Sequence, residues 1–245
     1  MPEIVLGRLI DLPCWEGYQQ IRLPPADIPQ PIRDADPSLR YLPLIELRRN
    51  DGSRQVKIGG HVISYHVTGS YPGWAAFRQE IDSTLRDAIA KLRSPQLSRI
   101  GFRYINIFRP EKHFVGGLAE TNIVLKVGDE ALTESVNINY TRSIKSTHIV
   151  TVRIATSDLV AGNLAPGFSL LCDIDVGTVP GHIVSSFDEA ISWIDDAPQT
   201  RKIGVLCTPF PHNHRQTQAW RGLMRNARSD VSIEIAGWTE RLRRR

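Results

Sequence analysis

The spacing of apolar residues changes along this chain, and each change marks a different element. Residues 42–49 carry Leu44, Ile45 and Leu47 in an extended run. Asn50-Asp51-Gly52 follows, residue types that tolerate the positive φ of a tight hairpin, and the extended pattern resumes over 54–58. After a second turn at Gly59-Gly60, Ile63, Tyr65 and Val67 alternate with Ser64 and His66, the period of a half-buried strand. The period then lengthens. Trp74, Phe77, Ile81, Leu85, Ala88 and Leu92 recur every three or four residues, which predicts an amphipathic helix preceded by Pro72 and stopped by Ser94-Pro95. Residues 99–108 return to period two, with Ile100, Phe102, Tyr104, Asn106 and Phe108 on one face and Arg103, Ile105 and Ile107 on the other.

The second half repeats this order. Strands are predicted over 121–127, 134–141, 147–155 and 168–176, with turns at Gly128-Asp129, Arg142-Ser143 and 162–167. A helix begins at Ser186, whose hydroxyl forms a capping box with Glu189, and Val184, Phe187, Ile191 and Ile194 supply its apolar face up to Pro198. The expected fold is therefore α+β, two successive antiparallel meander-plus-helix units, compatible with a pseudo-duplicated pair that share or pack their sheets. The units span 42–110 and 111–199. Ahead of them, 1–41 is expected to be an extended, proline-rich arm along the body, with a strand over 3–10 and Pro24, Pro25, Pro29, Pro31 and Pro37 in the connecting stretch. Behind them, 200–245 is a basic segment with a strand-like run at 202–207, a helix-like run at 219–228 and a short apolar run at 231–236.

Composition narrows the picture by exclusion. Of 245 residues, 41% are hydrophobic and 23% charged, ordinary values for a chain with a core and foreign to collagenous or fully disordered sequences. No apolar run of about 18 residues is present, so no membrane partner is expected. Met1-Pro2-Glu3-Ile4 lacks a basic n-region, and Cys14, Cys172 and Cys207 form no C-x-x-C pair, so buried thiols and a cytoplasmic location are expected. The net charge of +4 is uneven: from His212 onward eight arginines less three acids give +5, which leaves −1 for residues 1–211. The basic character is local to the carboxyl-terminal segment.

Tyr71-Pro-Gly-Trp-Ala-Ala-Phe77 and then Arg99-Ile-Gly-Phe-Arg-Tyr-Ile-Asn106 resemble a sporadically distributed prokaryotic family of unknown function and comparable length. Its pattern is a W-x-x-F pair opening a helix, followed by a strand close to I-G-L-R-Y-I-N; Phe102 stands here where Leu is usual. The strand with Leu171-Cys-Asp-Ile-Asp-Val176 and the helix with Phe187 resemble it more weakly. The resemblance covers residues 43–197 and ends near Gln199. It implies an α+β fold and a bacterial cytosolic setting, and it implies no activity.

Candidate chemistry is sparse. Arg103 and Asn106 are a suggestive polar pair for ligand or partner binding, with Tyr104 between them, but an odd separation on a strand sends Arg103 to one face and Asn106 to the other. Arg103 is expected to pair with a carboxylate across the sheet. Asp173 and Asp175 share a face and are weak metal candidates without a third ligand, so no metal and no cofactor is called for. A Cys207, His212 and His214 site lacks a fourth ligand. Phosphate-cradling glycine loops and a serine-hydrolase elbow are absent from the sequence.

These readings favour a non-catalytic binding or adaptor protein with a protein partner, with a prokaryotic accessory system such as phage defence or a toxin–antitoxin pair as a compatible setting and a homo-oligomer also compatible. The alternative is a nucleic-acid-associated protein acting through Arg215, Arg221, Arg225, Arg228, Arg243, Arg244 and Arg245, interleaved with Trp220 and Trp238. A metal-dependent hydrolase using Asp173 and Asp175 ranks third.

Overall fold

The structure is a computed structural model, and it describes residues 2–92, 96–113, 115–121, 123–160, 167–197 and 229–236. The chain opens with helix α1 (Pro2–Ile10), strand β1 (Tyr18–Arg22) and the short helices α2 (Gln30–Ala35) and α3 (Pro37–Arg40). The first meander is β2 (Ile45–Arg49), β3 (Arg54–Ile58) and β4 (Val62–Val67), followed by helix α4 (Trp74–Ala90) and strand β5 (Arg99–Phe108). After the single turn α5 (Pro110–His113) and a two-residue hairpin of β6 (Lys126–Val127) and β7 (Glu130–Ala131), the second meander is β8 (Asn137–Lys145), β9 (His148–Thr156) and β10 (Leu170–Thr178). Helix α6 (Phe187–Asp195) follows, and β11 (Ser229–Ala236) completes the described chain.

The fold is α+β, built on one nine-stranded sheet in the order β1-β2-β3-β4-β11-β5-β10-β9-β8. Every neighbouring pair is antiparallel. The two meander-plus-helix units share this sheet, yet β4 and β5 do not pair with each other. The run read as a short apolar stretch at 231–236 lies between them, with Ile233 opposite Tyr65 on β4 and opposite Phe102 on β5. Ile233 and Ile235 are completely buried.

Both long helices cover one face of the sheet. On α4, Phe77, Ile81, Leu85 and Ala88 are fully buried, as the helical period predicts. The Phe77 ring lies between Tyr65 at 6.1 Å and Phe102 at 5.7 Å, and Trp74 meets Phe102 edge-on at 5.3 Å. A polar clamp fixes the same helix: Arg54 donates to both Glu80 oxygens at 2.7 and 2.8 Å, and the Tyr65 hydroxyl donates to Glu80 at 2.7 Å. On α6, Glu189 N donates to Ser186 Oγ at 3.1 Å, and Ser185 N donates to Glu189 Oε2 at 2.8 Å. The capping box is thus made, with its return bond one residue earlier than the usual pattern. The far end of α6 is clasped by the β8–β9 turn. Trp193 stacks on buried His148 at 4.3 Å and donates to Thr147 O, while Lys145 Nζ reaches Asp196 at 2.6 Å.

The first forty residues differ from expectation. Residues 3–10 form helix rather than strand, because Leu6, Leu9 and the following Leu12 sit three apart and Leu9 and Leu12 are buried. A short apolar run carries both periods, and here packing decides for the helix. The proline stretch is not an extended arm; it turns into α2 and α3, where Pro31 and Pro37 occupy first-turn positions that need no donor. Sequence reading also missed β1, which pairs along the whole of β2. In the second half, the strand expected over 121–127 shrinks to β6, and the turn expected at Arg142-Ser143 falls inside β8, the real turn following Lys145. Cys172, expected as a free thiol, is disulfide-bonded, while Cys14 is free. The thiol count therefore gives no support to a reducing compartment. Among the described residues no helix is long and apolar enough to cross a membrane.

Two measurements follow. Phe77→Ala should cost on the order of 3–5 kcal/mol in a denaturant titration, the range for a truncated core aromatic. Deleting residues 212–245 removes β11 and should leave a chain without a cooperative melting transition; a truncated protein that melts like the full chain would remove β11 from its structural role.

Candidate functional site

Antiparallel partners point to the same face, so the register sorts the polar residues without further assumption. Turned away from α4 and α6, one row across the sheet reads Glu46, Lys57, Ser64, Glu234, Gly101 and Gly177. The next reads Arg48, Gln55, His66, Ser232, Arg103 and Asp175. Asp173 lies beside Arg153 in the row beyond. These rows form a lattice of polar and charged side chains collected from both units and from β11, while farther along the same face Ile107, Leu171 and Ala155 form a buried apolar row.

The charges are stacked in depth. Arg103 donates to Asp173 through Nε at 2.8 Å and a terminal nitrogen at 2.5 Å, the carboxylate partner the sequence predicted for it. The Asp173 side chain is 11% exposed and that of Arg103 49%, so the carboxylate lies deep and the guanidinium lies over it. This bond is the main cause that raises the Arg103 pKa above its ordinary value. Glu46 is equally deep, 6% exposed beneath Arg48 at 2.6 Å.

Arg99 lies in a trough made by two glycines. A Cβ on Gly177 would stand 3.2 Å from its guanidinium, and one on Gly101 would stand 3.3 Å away. Without those carbons the side chain settles close to the backbone and reaches Asp175 at 3.1 Å and Glu234 at 3.4 Å.

Ser64 and His66 share a hydrogen bond of 2.8 Å between Oγ and Nε2. A hydroxyl and an imidazole at this distance are the parts of a nucleophile–base dyad. Such a base must become imidazolium when it takes the proton. Here burial first, and then the nearby Lys57 and Arg103 charges, push the His66 pKa down to about 3. The surroundings therefore oppose the charged form that such a base would take.

The residues singled out from sequence do not all converge. Arg103 belongs to this polar lattice. Tyr104 and Asn106 face the helix side, where the Tyr104 hydroxyl meets the Tyr71 hydroxyl at 3.0 Å and its ring meets Phe102 at 4.6 Å. Asp173 and Asp175 share the polar face, each engaged by an arginine; among the described residues no group of three or more potential metal-ligating side chains occurs. Arg215, Arg221, Arg225, Arg228, Trp220, Trp238, Arg243, Arg244 and Arg245 lie outside the described residues, as do Cys207, His212 and His214. Sequence reading missed Glu46, Ser64, His66, Arg99 and Glu234 as members of the site. Strand alternation already put Ser64 and His66 on the polar side, but only the strand order reveals their neighbours.

No protein-family model matches the chain, and no curated protein or solved structure matches it either.

The depressed His66 pKa sets an acid dependence. Above the ordinary value of 6.5 the ring is neutral in both folded and unfolded chains and contributes no slope. As pH falls below that value the unfolded chain gains a proton that the folded chain refuses down to about 3, so stability is lost on acidification. His66→Gln should reduce the loss between pH 7 and about pH 5 by up to about 2 kcal/mol. Urea midpoints of both proteins across that window test it; parallel curves would contradict the assignment.

Proposed function

We propose that the protein is a non-catalytic binding protein whose polar sheet face docks another polypeptide. The observation that carries this reading is the layering of that face, with guanidinium groups of Arg48, Arg99 and Arg103 about half exposed above carboxylates that neutralise them. Each guanidinium has five N–H donors, and Arg103 uses only part of that set on Asp173. The face therefore presents directional donors without a large excess of positive charge. Peptide carbonyls and side-chain carboxylates match that arrangement. A polyphosphate backbone matches it poorly, because Glu46, Asp173, Asp175 and Glu234 stand interleaved with the cations. A prokaryotic accessory system, such as phage defence or a toxin–antitoxin pair, is the setting proposed for this partner, and no cofactor enters the proposal.

Arg99→Lys combined with Arg103→Lys tests the reading, since lysine keeps the charge over each aspartate and loses the planar fork. Affinity purification from the native host, followed by titration of the recovered partner against both proteins, should show an unchanged melting temperature and binding weakened about tenfold or more, the equivalent of one lost charged hydrogen bond. Equal affinities would sink it.

The basic segment supports a second reading, nucleic-acid binding through residues 212–245, motivated by its +5 charge. Replacing Arg215, Arg221, Arg225 and Arg228 by Gln in the full chain is the appropriate probe, because truncation also removes β11. Oligonucleotide anisotropy should fall with these replacements and with added salt; a signal indifferent to both would dismiss this reading.

A further inference from the structure

We infer that two copies of this chain pair antiparallel along β8, joining their sheets edge to edge through a two-fold axis at Thr141. This inference does not rest on the docking role of the polar face.

The two edges of the nine-stranded sheet are built differently. At one edge, β1 is five residues long and runs at once into Pro24 and Pro25. Its Arg22 folds back onto Asp27 and the Ala26 carbonyl. Short length, proline and a folded-back charge are devices that blunt an edge. At the other edge, β8 is nine residues long and contains neither proline nor glycine. Residues 139–143 are all exposed.

The hydrogen-bond phase of β8 is fixed by its partner. Thr156 N donates to Val136 O at 2.9 Å, and the same register continues as Asn137 opposite Ala155 through Thr141 opposite Thr151. Even-numbered positions therefore direct their backbone groups to β9. Asn139, Thr141 and Ser143 direct theirs outward, to the side on which no strand among the described residues pairs with β8.

A strand can pair with its own copy only if its sequence tolerates inversion. About Thr141 it does. Asn139 would face Ser143, Tyr140 would face Arg142 and Ile138 would face Ile144. Outward-directed residues meet outward-directed residues, so Thr141 and the Asn139–Ser143 pairs close the ladder. Tyr140 and Arg142 fall at a non-hydrogen-bonded position, where side chains approach most closely, and a guanidinium against an aromatic ring is attractive there. No like charges oppose each other. Tyr140, otherwise a large ring 56% exposed at a sheet edge, gains a partner. The contact is isologous and closes on itself, so it stops at a dimer. Because the register preserves faces, the two polar lattices would lie side by side on one surface.

Analytical ultracentrifugation of the full chain tests this with a charge repulsion and its repair. The wild type should sediment as a dimer. Tyr140→Lys places lysine against Arg142 of the other copy and should raise the dimer dissociation constant at least tenfold. Adding Arg142→Glu should restore the dimer, because lysine then faces glutamate. Melting temperatures of both variants establish that they are folded; position 140 is exposed, so little change is expected. A wild type that stays monomeric up to about 100 μM, a regime that captures even weak association, overturns the inference. So does a folded Tyr140→Lys protein that dimerises undiminished, since the contact would then lie elsewhere. Failure of the double variant to recover would reject the proposed register.

Discussion

Successive side chains on an extended backbone leave it on opposite sides, and most of this molecule follows from holding that rule in register across nine strands. One side of the sheet gathers Val56, Tyr65, Ile233, Phe102, Ile174 and Val150, all buried, and α4 and α6 cover it. The other side gathers the polar partners of those residues. A slip of one residue in an inner strand would carry polar or charged side chains into the helix layer and leave apolar ones among the arginines. The register is accordingly held from several directions: by ladders on both sides of the inner strands, by the Arg54–Glu80–Tyr65 clamp and by the His148–Trp193 stack.

The polar face handles charge by depth. A carboxylate lying flat in a sheet surface loses water, and a guanidinium that closes over it with two bonds offsets that loss. Arg103 on Asp173 and Arg48 on Glu46 solve the problem in that way, and Arg99, lying low over Gly101 and Gly177, bridges the shallower Asp175 and Glu234 on two strands. Where both partners are substantially exposed, as Arg99 is with Asp175 and Glu234, such pairs contribute modestly to stability, roughly 0–1 kcal/mol each. Their larger effect is on the texture of the surface, which offers rigid, oriented donors where flexible lysines would offer a diffuse charge.

Local signals were readable from sequence, and distant ones were not. The face of α4, the capping serine at Ser186 and the alternation around Arg103 depend on residues within a few positions of one another. The carboxylate partner of Arg103 was foreseeable as a type because a strand arginine turned toward a sheet surface needs one. Its identity, Asp173, depends on β5 and β10 being neighbours. The position of β11 is the extreme case: eight residues with an ordinary strand pattern carry no mark of the two strands they separate. Residues 3–10 failed for another reason, since a short apolar run satisfies both periods until Leu9 and Leu12 find the core. The proline stretch misled because the first turn of a helix tolerates proline as well as an extended arm does.

The seat of β11 also bears on how the chain is made. Val67 ends β4, and Ser229 begins the strand that pairs with it. At translation speeds of roughly 5–20 residues per second, on the order of ten to thirty seconds separate the two on the ribosome. For most of that interval β4 and β5 are both synthesised with their facing edges unmatched, each a template for the wrong strand. A nascent chain of this design depends on delay or escort: its first half must remain uncommitted until the late strand emerges.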